Sequence, residues 1–191
     1  MVDDLRWRRG ARFPGHDYRI FTTSFVEGIH PVTGETKRFS IIEAPSWINV
    51  IAITPEREVV LVRQYRAGSD ALSLEIPGGM SEPGEDPQVA AARELAEETG
   101  YTSKTWSLLG TSSPNPAIQG NTLYTYLAED ATLTEPLAPD DGEVLEQVRL
   151  PMAEVGAMLR DGRIDHALVL VAFAHLSFAP GGMARWHEFW G

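Results

Sequence analysis

Residues 79–101 read Gly79-Met80-Ser81-Glu82-Pro83-Gly84-Glu85-Asp86-Pro87-Gln88-Val89-Ala90-Ala91-Ala92-Arg93-Glu94-Leu95-Ala96-Glu97-Glu98-Thr99-Gly100-Tyr101. Asp86 is a strong N-cap, Pro87 suits the first helical position, and Gly100 is a natural stop just past Thr99. The spacing predicts a helix over 87–99. At 100° per residue Val89, Ala92, Leu95, Ala96 and Thr99 fall on one side, with Glu94, Glu97 and Glu98 on the other. A solvated polar face is the ordinary reading of such a pattern. Two energetic details count against it. Glu94 and Glu98 stand four apart, a like-charge pair that repels. Glu97 and Glu98 also occupy the last turn, where the helix dipole disfavours an anion by ~0.3–1 kcal/mol each. A divalent cation held against this face reverses the sign of each of these effects. The chain has 0 cysteines, and hard carboxylate oxygens suit Mg²⁺ or Mn²⁺.

The segment leading into the helix points the same way. From Glu75 to Glu98 there are seven carboxylates against one base, Arg93, which is −6 of the chain's net −11 in 24 residues. Gly78-Gly79 permits a tight reversal, so a backbone carbonyl can approach the same ion. A cation held by few protein oxygens keeps positions for water and substrate phosphates. Electrophilic assistance to phosphoryl transfer to water is the chemistry expected there.

Upstream, residues 18–27 and 37–44 read as strands joined by a Pro- and Gly-containing loop, and 47–54 and 58–66 as a second pair around Pro55-Glu56-Arg57. Downstream, 106–110, 122–128 and 144–150 read as strands, followed by helices over 152–160 and 164–178. Helices mixed irregularly among hairpin-linked strands indicate an α+β or mixed-sheet fold, not a doubly wound parallel sheet. At 191 residues, 43% hydrophobic and 23% charged, the chain suits one well-cored domain with a small appendage, and the first 44 residues could form a separate sheet. No apolar run approaches the ~20 residues of a membrane span. The N-terminus has no apolar signal segment, so a cytoplasmic location without a membrane partner is expected. A net charge of −11 repels polyphosphate backbones, which argues against nucleic-acid partners.

Gly79, Glu85 and the run Arg93-Glu94-Leu95-Ala96-Glu97-Glu98-Thr99-Gly100-Tyr101 resemble the Nudix box at its fixed positions, with Tyr101 where the family more often has an aliphatic residue. The resemblance implies a Nudix fold, an α/β/α sandwich around a mixed sheet over residues 46–191, with residues 1–45 as an N-terminal antiparallel β extension. It implies Mg²⁺- or Mn²⁺-dependent hydrolysis of a nucleoside diphosphate linked to another group. By position, Glu94, Glu98 and the Gly78 carbonyl would be the metal ligands and Glu97 an adjacent catalytic acid. Arg93 would orient the glutamates, and Glu85 would brace the loop.

Arg63-Gln64-Tyr65-Arg66, Glu75-Ile76-Pro77-Gly78-Gly79 and a proline about fifteen residues past the box, Pro116, resemble the ADP-ribose and nucleoside-diphosphate-sugar pyrophosphatase branch. That likeness implies a nucleotide-sugar substrate and a homodimer built through the N-terminal sheets. It gives Glu143 the part of catalytic base, with Glu146 in reserve. Arg66 is the candidate for the diphosphate, and Phe39 stands where this branch often puts a Trp that stacks on the base. A GDP-mannose or UDP-sugar hydrolase is the alternative within the fold. A catalytically silent nucleotide-sensing module is the alternative outside enzymes, although such modules typically lose box glutamates that are all present here.

Overall fold

The computed structural model describes residues 5–138, 142 and 144–190. The chain divides into two compact units, Met1–Pro45 with Ser113–Thr122, and Ser46–Ser112 with Leu123–Gly191.

The first unit is an antiparallel meander of β1 (Arg8–Asp17), β2 (Thr22–Ile29) and β3 (Thr36–Glu43) in the order β1-β2-β3. Strand β1 was not expected from the sequence, and every one of its residues is exposed. With no inward face it lacks the alternation by which strands are read. It carries Pro14, which an edge strand tolerates because its N–H side need not pair. The turn before β2 explains the later start of that strand: Arg19 adopts φ 72°, and its N–H donates to Asp17 Oδ1 at 2.8 Å. Segment Ser113–Thr122 joins this unit through Ile42 N–H to the Ile118 carbonyl at 2.7 Å and Asn121 Nδ2 to the Pro45 carbonyl at 3.1 Å.

The second unit is a six-stranded mixed sheet between helices. It comprises β4 (Trp47–Ile53), β5 (Glu58–Arg66), β6 (Ala71–Glu75), β8 (Thr105–Ser112), β9 (Leu123–Glu129) and β11 (Leu145–Pro151), while β7 (Tyr101–Thr102) and β10 (Thr132–Leu133) form a separate short ribbon. The order is β11-β5-β4-β9-β8 with β6 on β5. Among the described residues of this sheet β4 and β9 are the parallel pair, and both are covered on two faces, which is why β4 reads as an almost unbroken apolar run. Alternate residues of β4 serve opposite layers. Ile48, Val50 and Ala52 pack with Ala90, Ala91 and Leu95 of α1 (Pro87–Thr99). Ile51 and Ile53 pack with α2 (Met152–Asp161) and α3 (Ala167–Phe178). The layers are therefore α/β/α. Helix α3 starts at Ala167 because Ile164 belongs to the connection, buried with its N–H bonded to the Met158 carbonyl at 3.1 Å. Beyond α4 (Gly182–Arg185), Trp186 and Phe189 complete the same core.

Candidate active site

Helix α1 has the ends its sequence predicts. Asp86 accepts from the Gln88 and Val89 N–H groups at 2.9 and 3.3 Å. Gly100 takes φ 73°, and its N–H closes on the Ala96 carbonyl at 2.8 Å. Its roll about its own axis differs from the amphipathic pattern. Val89 is 59% exposed, whereas Ala90, Ala91, Leu95, Glu98 and Thr99 are buried. Alanines at 90 and 91 let the helix settle close to the sheet, and Glu98 is carried inward, where a polar partner compensates its burial.

That partner is the loop after β6. Residues 77–79 lie along β4: Val50 N–H donates to the Pro77 carbonyl at 2.9 Å, and Ile48 and Gly79 exchange hydrogen bonds at 2.9 and 3.1 Å. Between two bonded positions of an antiparallel ladder, a residue turns both backbone polar groups away from its partner strand. Gly78 does this, and its N–H donates to Glu98 Oε2 at 2.9 Å. The same geometry turns its carbonyl toward that side. A Cβ at Gly79 would stand 2.5 Å from the Glu94 carboxylate atoms, so this glycine is the cradle in which Glu94 rests. Two carboxylates on successive turns of α1 thus flank one hinge of two glycines.

Arg93 binds the remaining acids together. Its Nε and Nη2 donate to the two Glu85 oxygens at 3.0 and 3.1 Å. Nη1 donates to Glu94 and to Glu97, each at 2.9 Å, and Nη2 also donates to the Met80 carbonyl at 3.1 Å. The bonds to Glu85 are the main reason the Arg93 guanidinium is held more firmly protonated than usual, with burial opposing and Glu97 and Glu94 adding to the effect. Conversely, Arg93 and then the Glu82 amide hold the Glu85 carboxyl below the ordinary range. One guanidinium offsets much of the repulsion that the sequence puts on this helix.

Arg66 lies at the end of β5 and donates through Nε and Nη2 to Glu75 Oε1 and Oε2 at 2.8 and 2.7 Å. His166, the N-cap of α3, has Nε2 4.0 Å from the same carboxylate. Sequence reading passed over both Glu75 and His166. A charge between the aliphatic Leu74 and Ile76 was the available signal.

Phe39 and Pro116 belong to the first unit; Phe39 is 39% exposed and meets Trp7 edge-on at 5.1 Å. Glu146 pairs with Arg63 at 3.1 Å with 63% of its side chain exposed. Glu143 lies outside the described residues.

Among the described residues no three His, Cys, Asp or Glu side chains form a ready-made metal cage. The donor set at the hinge is two carboxylates and a carbonyl, all hard oxygens, and this suits a cation that keeps several waters.

A model of the NUDIX domain matches residues 45–188. The chain belongs to the NUDIX family. Among its relatives is a methanol dehydrogenase activator of Bacillus methanolicus, 32% identical over 79% of this chain and 82% of that protein. An ADP-ribose pyrophosphatase of Bacillus subtilis is 28% identical over 84% of this chain and 88% of its own length. A crystal structure of an ADP compounds hydrolase matches with a TM-score of 0.80, covering 99% of this chain and 98% of that one at 24% identity. That likeness establishes the Nudix fold, with the extra antiparallel sheet at its N-terminal end. Among the described residues no helix is long and apolar enough to cross a membrane.

Proposed function

We propose that this Nudix protein is a pyrophosphohydrolase that cleaves ADP-ribose or a related nucleoside diphosphate sugar to a nucleoside monophosphate and a sugar phosphate. The observation that carries the reading is the hinge itself: Glu94 at Gly79, and Glu98 bonded to the Gly78 N–H at 2.9 Å. Relatives named for ADP-ribose support the substrate class. Glu94, Glu98 and the Gly78 carbonyl would hold the cation, Mg²⁺ or Mn²⁺. Once bound, such an ion neutralises charge on the diphosphate and makes a bound water more acidic.

The chain's own groups do the rest. Arg93 keeps Glu94 and Glu97 fixed, so little reorganisation is needed when substrate arrives. Arg66 supplies a guanidinium for the diphosphate. Glu143 takes the proton of the attacking water as the new P–O bond forms and the bridging P–O bond breaks; Glu146, already paired with Arg63, is the reserve. Phe39 offers a face to the base, and Pro116 stands in the segment Ser113–Thr122 of the same unit.

A homodimer built through the N-terminal sheets is part of this reading. Its support is the wholly exposed β1 together with exposed Phe13, Phe25 and Phe39. Charge adds to it, since residues 1–45 hold seven Lys and Arg against six Asp and Glu, a net +1, while the rest of the chain carries −12. Light scattering that finds only monomers in the fully active protein removes this part.

The deciding experiment is turnover of ADP-ribose, GDP-mannose and UDP-glucose with and without Mg²⁺, with products identified. Glu98→Gln is expected to lower the Mg²⁺-dependent rate on the order of 10²-fold or more. An unchanged rate in that variant overturns the assignment to this helix, whereas no turnover of any of the three substrates by the parent protein makes a nucleotide-sensing module the better account.

A further inference from the structure

We propose that Glu75 is a positioning residue: a buried carboxylate that fixes the Arg66 guanidinium, and with it the affinity for the substrate diphosphate. This rests on the reading of Arg66 given above. The β5–β6 register sets Arg66 opposite Ala71, Gln64 opposite Ser73 and Val62 opposite Glu75. Because successive side chains alternate faces, Arg66, Ser73 and Glu75 share one face of the hairpin. The Arg66 side chain runs back along that face and meets both Glu75 oxygens, at 2.8 and 2.7 Å. The pairing is the fork-to-fork arrangement that fixes the guanidinium plane as well as its place.

Burial divides the pair unequally. The Glu75 side chain is 5% exposed and that of Arg66 44%. One partner is an anchor sunk beneath the hairpin; the other works at the surface. An anchor of this sort is a poor device for stability alone, since a buried ion pair is often no better than apolar residues of similar size. The chain has such residues on either side, Leu74 and Ile76, both buried. Burial favours the protonated Glu75, yet Arg66, with His166 and Ser73 adding to it, holds the carboxyl below its ordinary range. The anchor therefore stays charged at neutral pH.

Glu75 stands three residues before Gly78, at the place where the chain leaves β5 and begins to pair with β4. A guanidinium tied to this residue is tied to the strand that enters the metal-side hinge. His166, 30% exposed at the start of α3, stands with Nε2 4.0 Å from the same carboxylate, beyond hydrogen-bond distance. Strand and hinge thus share one reference point, and the substrate's phosphates are held in register with it.

The test is steady-state kinetics on the nucleotide sugar that the substrate screen identifies, with Glu75→Gln, Glu75→Asp, Arg66→Lys, Arg66→Ala and the double variant Glu75→Gln/Arg66→Ala. Loss of a positioned, charge-assisted contact made equally in ground and transition states raises KM and leaves kcat nearly alone. Glu75→Gln and Arg66→Lys are each expected to raise KM about tenfold or more, with kcat within about threefold of the parent. The double variant is expected to be no worse than Arg66→Ala, because Glu75 acts through Arg66.

If Arg66→Ala raises KM but Glu75→Gln and Arg66→Lys do not, the positioning role is overturned and the reading of Arg66 stands. If Arg66→Ala leaves KM unchanged, the reading of Arg66 fails and this proposal with it. Glu75→Asp keeps the charge and shortens the reach to the guanidinium, so a raised KM in that variant decides the matter even where Glu75→Gln does not fold.

Discussion

A Cβ at Gly78 would stand 2.2 Å from the Ile48 carbonyl oxygen, and one at Gly79 would stand 2.5 Å from the Glu94 carboxylate. The first obstacle is backbone in the middle of the sheet; the second is the far end of a flexible side chain. Gly78→Ala is therefore expected to unfold or strongly destabilise the protein. Gly79→Ala is expected to fold, with a melting temperature near that of the parent, and to lose Mg²⁺-dependent activity because Glu94 must swing out of its cradle. Thermal unfolding followed by a magnesium titration of activity separates the two outcomes, and equal stability for both variants contradicts the assignment of Glu94 to Gly79. These spacings explain why the sequence could name Gly78, Gly79, Glu94 and Glu98 but could not say which glycine faces which acid. That pairing depends on how residues 77–79 align with β4, a long-range register no local pattern records. The same limit hid Glu75: its partner Arg66 is nine residues away and meets it only once the hairpin closes.

Helix α1 was legible to the residue because its punctuation is local. Asp86, Pro87 and Gly100 act within a turn of themselves, and the helix spans Pro87–Thr99 as expected. Its roll was not legible. The periodic pattern gives Val89 to the interior, but tight seating through Ala90 and Ala91 turns Val89 outward and takes Glu98 in. Strands β4 and β5 were equally plain, since burial on both faces leaves continuous aliphatic runs, whereas β1 and the two-residue strands β7 and β10 depend on their partners alone. The cap of α1 can be tested at this scale. Asp86→Ala removes an acceptor for two N–H groups and is expected to cost about 1 kcal/mol, within a range of roughly 0.5–2. For a chain of this size that is a fall of roughly 2–4 °C in melting temperature. Differential scanning calorimetry of the two proteins checks it, and no change at all would mean that other contacts hold the helix start.

Over the whole molecule the acids set how stability responds to pH. Burial acts to raise Glu75, but Arg66, His166 and Ser73 outweigh it and lower the group from its ordinary value of 4.5. Glu85 is lowered from the same value chiefly by Arg93 and the Glu82 amide. For a carboxylate depressed in the folded state, the stabilisation is complete above the unfolded value and is lost as pH falls through the folded one. Asp161 and Arg163 pair with about half of each side chain in water, so screening leaves them little part in this. The urea midpoint of the metal-free protein is thus expected to be nearly flat above about pH 6 and to fall steadily between about pH 4.5 and pH 3. Among the described residues Glu75 and Glu85 are the most deeply buried of the carboxylates held low, and the first can be tested by itself. Glu75→Gln removes one carboxylate from the titration and should shallow the acid limb while lowering the plateau, because Arg66 then lacks its charged partner. Measured in equal ionic strength, a midpoint that stays level down to pH 3, or an acid limb unchanged in Glu75→Gln, would show that these buried and half-buried carboxylates do not govern acid stability.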